Sequence, residues 1–151
     1  MITGNVSNRD LNNLSKKLRF AGKKIKVEVA QDLAEGALNI RNEALVKAPV
    51  NDNRLRGSIQ LEKKRNNGLL WQVGTNVPYA PYMEFGTGRL VSLDALLRAG
   101  LPASYAAQFK GKGIRQVNIQ PRPFLFTSYN NEVPRLKKRI ALTLEKNGKQ
   151  F

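Results

Sequence analysis

Between Lys24 and Lys47, apolar residues recur in three- and four-residue steps: Ile25, Val29, Leu33, Ala37, Ile40 and Ala44. That period puts all six on one face of a long helix, while Asp32, Glu35, Arg41, Asn42 and Glu43 fall mostly off it. Pro49 ends the helix, because the residue before a proline is pushed out of helical geometry. Gly36 sits in its middle at a cost of about 1 kcal/mol relative to Ala. Either it permits close packing or it is tolerated.

The rest of the chain contrasts with this helix. Leu11, Leu14 and Leu18 predict a shorter helix over Asp10–Phe20, which Ala21-Gly22 then breaks or bends. Leu55–Lys63 alternates, with Leu55, Gly57, Ile59 and Leu61 on one side, and predicts a half-buried strand. Asn66-Asn67-Gly68 is a hairpin signal, and Leu69–Gly74 is the returning strand, with Trp71 and Val73 on one face. Ser92 is a candidate N-cap for a helix starting at Leu93. Residues 101–113 are small and polar, an excursion ordered by a partner or mobile. Gln116–Ile119 predicts one more strand. Pro121-Arg122-Pro123-Phe124 can open a helix, which Pro134 kinks or restarts. Its stripe is Val133, Leu136, Ile140 and Leu144. The expected fold class is α+β: a long N-terminal helix and a C-terminal helix packed on a small antiparallel β-sheet, with an extended loop excursion. No repeat or long linker divides the 151 residues, so one domain is expected.

Composition narrows the chemistry. The chain has no histidine and no cysteine. That removes the Ser-His-Asp triad, the Cys-His pair, disulfides and the usual zinc sites. No enzyme activity, cofactor or metal is expected. Asp32 and Glu35 share a helix face, where a solvated pair is the ordinary reading. Glu84 and Asp52 are the remaining candidates for paired-carboxylate work, with nothing to place them across a cleft. Gly86-Thr87-Gly88 and Lys110-Gly111-Lys112-Gly113 lack the spacing of phosphate loops and read as turns. No apolar run is long enough to span a membrane, and no membrane partner is expected.

The formal net charge is +15. Residues 1–30 and 122–151 each carry seven Lys/Arg against two acids. Such a field attracts polyanions or acidic protein surfaces, although many of these lysines belong to solvated helix faces. Common nucleic-acid module motifs are absent. Tyr79, Tyr82 and Phe85 could stack on bases, but their spacing suits a helical turn tucking rings into a core.

Three segments together resemble a known family. They are Ala48-Pro49-Val50 running on to Leu55-Arg56-Gly57-Ser58-Ile59, then Val73-Gly74-Thr75 running through Tyr79-Ala80-Pro81-Tyr82-Met83-Glu84-Phe85-Gly86-Thr87, then Gln120-Pro121-Arg122-Pro123-Phe124-Leu125. In this order they resemble the minor tail and head–tail joining proteins of lambda-like tailed phages, the neck or tail-completion proteins. The middle segment is the specific one, and the likeness spans roughly residues 10–146. Asn53 stands where the family pattern often has Gly, and Asn tolerates the left-handed backbone such a turn needs. Residues 89–115 are longer than the pattern requires.

The resemblance implies a virion protein made in the host cytoplasm and located at the head–tail junction or tail end. It implies a homo-oligomeric ring, six copies or alternatively twelve, between connector and tail proteins, through which the genome passes. A free, basic, sequence-independent DNA-binding protein is the alternative. For the middle segment, Gly74, Gly86 and Gly88 are expected to allow tight reversals. Tyr79, Tyr82 and Phe85 would anchor the loop on the sheet. Glu84 would pair with Arg54 or Arg56, or accept backbone N–H groups, fixing the loop for a neighbour. Thr87 and Phe124 complete the motif residues, and Lys110, Lys112 and Arg115 would extend towards DNA or an adjacent ring.

Overall fold

The computed structural model describes residues 8–50, 53–64, 67–98, 104, 107–108 and 118–148. The expected fold class is the one found: two long helices with a small antiparallel sheet. Helix α1 runs unbroken over Asn8–Lys47, 40 residues or about 60 Å. Of the break or bend expected at Ala21-Gly22, the break is absent. Gly22 lowers helix stability, but Ala21 and the flanking lysines are good helix formers and no proline interrupts them. The helix ends where Pro49 requires, with Ala48 donating its N–H to the Ala44 carbonyl at 2.9 Å.

The next segment corrects the predicted strand. Arg54–Gly57 is a helical turn, α2, and only Gln60–Lys63 forms strand β1. Leu55 and Ile59, both 2% exposed, are four residues apart. They therefore suit one helical face as well as an alternating strand. Asn53 enters α2 with φ 55°, in the left-handed region expected of it. Strand β2, Trp71–Gly74, returns antiparallel, with Leu61 opposite Val73 and Lys63 opposite Trp71. At the hairpin tip Gly68 has φ 71°, and its carbonyl accepts the Trp71 indole N–H at 2.8 Å.

Helix α3 covers Ala80–Phe85, a 3-10 turn follows at Gly88–Leu90, and α4 covers Leu93–Arg98. Ser92 caps α4 as its position predicts, its hydroxyl accepting the Ala95 N–H at 3.2 Å. The strand expected at Gln116–Ile119 is not found in its described part. Ile119 instead gives both its backbone groups to Thr87. Gln116 and Val117 lie outside the described residues, as does most of the expected excursion.

Helix α5 spans Leu125–Gly148. It starts after the Pro121–Phe124 segment rather than within it, and it runs through Pro134 without a restart. The proline deprives the Asn130 carbonyl of its partner. That turn is exposed, so water can take the bond, and the seam with α1 holds the helix on both sides.

The seam is antiparallel. Asn131 pairs with Glu43, Glu132 with Asn39, Thr143 with Asp32 and Asn147 with Glu28. Gly36 sits beneath Leu136, whose methyl carbons would lie 3.1 Å from an added Cβ, so it permits close approach. Of the predicted α5 stripe, Val133, Leu136 and Ile140 are half-buried and Leu144 is 47% exposed. The core joins Ala44, Ala48, Leu55, Ile59, Val77, Ala80 and Phe124. A smaller cluster joins Phe85, Val91 and Leu96. Among the described residues, no helix is long and apolar enough to cross a membrane.

Candidate functional site: a carboxylate clasp on the last helix

The Tyr79–Gly88 segment and the start of α5 lock together through Glu84. This carboxylate is 4% exposed. Its Oε2 accepts the N–H groups of Phe124 at 2.8 Å and Leu125 at 3.0 Å, and its Oε1 accepts that of Phe126 at 2.9 Å. The first N–H groups of a helix have no partner within it, and the helix dipole leaves them partly positive. A carboxylate there satisfies three donors at once with charge-assisted bonds. Of the partners expected for Glu84, the backbone N–H groups are the ones found.

Neighbouring bonds tighten the clasp. Arg122 donates its N–H to the Met83 carbonyl at 2.7 Å. Thr87 donates its N–H to the Ile119 carbonyl at 3.0 Å, and its hydroxyl accepts the Ile119 N–H at 3.0 Å. Between them Gly86 adopts φ 74°, and a Cβ there would lie 2.6 Å from the Ile119 carbonyl oxygen. Only glycine fits. Gly88 also has positive φ, at 64°, but Gly74 does not; it is an ordinary residue of β2, contrary to its expected role in a reversal.

The other motif residues divide. Phe85 is buried and its ring centroid lies 5.4 Å from that of Phe126. Phe124 is 1% exposed, in the main core, and Tyr79 packs against that core. Tyr82, on the six-residue helix α3, is 45% exposed. Arg56 reaches the Ala48 carbonyl at 3.4 Å, at the end of α1, while Arg54 is exposed at the start of α2. Lys110, Lys112, Arg115 and Asp52 lie outside the described residues.

Residue patterns did not reveal a second cluster. Glu132, 2% exposed, accepts from Asn39 at 3.2 Å and from the Arg139 guanidinium at 2.7 Å. Arg139 also faces Glu35 at 3.7 Å. The i,i+7 spacing of Glu132 and Arg139 on one helix face is the one signal available. Asp32 and Glu35, expected as a solvated pair, also meet α5 through Thr143 and Arg139, and Glu35 stays solvent-exposed. Glu43 meets Lys47 and Asn131, whose bonds hold its carboxyl below the usual carboxylate range. These carboxylates hold structure. The groove of about 260 Å³ beside Glu84 is walled by Pro121, Pro123, Phe126 and α4, with no second carboxylate among the described residues of its lining.

Residues 12–86 match the family model described as "Bacteriophage HK97-gp10, putative tail-component". This segment, just under half of the chain, is similar to the HK97-gp10-like family. No curated protein and no solved structure matches the chain. The HK97-gp10-like segment comprises nearly all of α1, the hairpin and α3, and ends on Gly86, inside the clasp. The match agrees with the resemblance to phage tail and head–tail proteins read from the motifs, and it supports a structural role in the virion.

Proposed function

We propose that this chain is a non-catalytic structural subunit of a tailed-phage neck or tail end. It assembles as a closed ring, of six copies or alternatively twelve, between connector and tail proteins, and the genome passes through it. The family match over residues 12–86 carries this reading. The clasp supports it: Glu84 spends its carboxylate on three backbone donors, which suits a rigid docking element better than a proton-transfer group. A ring needs one surface of each copy to meet a different surface of the next, and such contacts need fixed geometry. Tails assembled without the protein provide the test. Purified protein should cosediment with them and restore joining to filled heads. Tails that neither bind it nor gain that ability would overturn the proposal.

One observation favours the alternative of a basic DNA-binding protein. Glu28, Asp32, Glu35, Glu43 and Glu132 all face the α1–α5 seam, so the outer helix faces are left predominantly cationic. That reading requires a monomer or dimer whose DNA affinity falls steeply with salt.

A further inference from the structure

The face of α1 that meets α5 extends past the described end of α5. Asn39, Glu35, Asp32 and Glu28 contact Glu132, Arg139, Thr143 and Asn147 in turn. Continuing towards the N-terminus in the same three- and four-residue steps, this face presents Ile25, Ala21, Leu18 and Leu14. Leu14 is 52% exposed and Leu18 54%. From Glu28 to Leu14 the stripe runs about 20 Å, which is some four helical turns. Its period is that of a helix–helix seam.

Charge says what completes it. Along the half of α1 that α5 covers, the seam acids of α1 are Glu28, Asp32, Glu35 and Glu43; α5 answers them with Arg139 and neutral donors, and its own Glu132 is taken up by Arg139 and Asn39. Along the arm the sign reverses. Between Asn12 and Val27 there are six Lys/Arg residues and no carboxylate. Lys17 flanks the stripe directly, and so does Lys24, which also meets Glu28 at 3.9 Å. A second copy of the arm would set cations against cations, and a second copy of α5 would bring Arg135, Lys137 and Lys138. Leu14 and Leu18 have no use on a phosphate backbone. We propose that residues 14–25 of α1 are a docking arm for an acidic amphipathic helix of another protein, one with an apolar seam flanked by carboxylates. This does not depend on ring formation.

The test uses the full chain and a fluorescein-labelled 21-residue peptide with leucine at both seam positions of each heptad and glutamate beside them. Fluorescence anisotropy should show saturable binding, weakened at least tenfold by Leu14→Asp with Leu18→Asp. These side chains are exposed, so the variant should keep its far-UV circular dichroism and melting temperature. A peptide with lysine in place of glutamate should not bind. Three results would overturn the proposal: no binding of the glutamate peptide, equal binding of the lysine peptide, or binding indifferent to the leucine substitutions, which would indicate a general polyanion surface. Self-association of the wild-type chain that the same substitutions abolish would also overturn it, in favour of a second copy.

Discussion

Glu84 and Phe124 are 40 residues apart in the chain, and the Glu84 carboxylate takes the Phe124 backbone N–H at 2.8 Å. With the bonds to Leu125 and Phe126, this contact ties the end of the family-matched segment to the first turn of α5. The clasp therefore couples the motif loop to the helix that packs along α1.

Removing the carboxylate should be costly. Glu84→Ala leaves three helix-terminal donors without their acceptor, two of them at or beside the buried Phe124. The expected loss is about 3 kcal/mol of unfolding free energy, since charged hydrogen bonds contribute more than neutral caps. Urea denaturation of both proteins measures it. A loss below about 1 kcal/mol would mean that water replaces the carboxylate.

Two glycines of the same motif should behave oppositely. Gly86→Ala meets both a left-handed backbone and the Ile119 carbonyl, and should cost at least about 2 kcal/mol. Gly74→Ala meets no heavy atom within 4 Å and should stay within about 0.5 kcal/mol of wild type. Equal effects in thermal melts would refute the clasp geometry.

Glu132 and Arg139 should be coupled. Glu132→Ala leaves the guanidinium beside a vacated, buried position and should cost on the order of 3–5 kcal/mol. Adding Arg139→Ala should cost much less than that substitution does alone. A double-mutant cycle in urea tests this, and additive losses would show that the pair does not interact.

Acid should weaken the seam through Glu43. Its carboxyl is held below its ordinary value first by the bond from Lys47, then by Asn131. A depressed carboxylate contributes stability above its unfolded-state pKa, and that contribution disappears as pH falls through the folded-state value. Between neutral pH and about pH 3, Glu43→Gln should therefore lose less stability than wild type. A steeper decline in the variant would reverse the sign.

The sequence made some elements readable and left others ambiguous for physical reasons. The α1 stripe, its end at Pro49, the Ser92 cap and the hairpin follow from local chemistry, and the structure has them. Leu55 and Ile59 satisfy two periods at once, so a helical turn read as strand. Ala21-Gly22 and Pro134 carry local penalties that neighbouring turns and the seam outweigh. Ile119 reads as strand but bonds to Thr87, a partner 32 residues away that no local pattern specifies. For Glu84 the residue type restricted the choice to cations or backbone donors, and only the approach of α5 decided between them.

The structural-joint account is tested most directly by light scattering combined with electron microscopy of the purified protein, alone and with tails. It predicts closed rings of six or twelve copies, or a symmetric cap that appears on tails when the protein is added. A monomer or dimer under both conditions, with no added density on tails and with DNA affinity that falls steeply with salt, would contradict it.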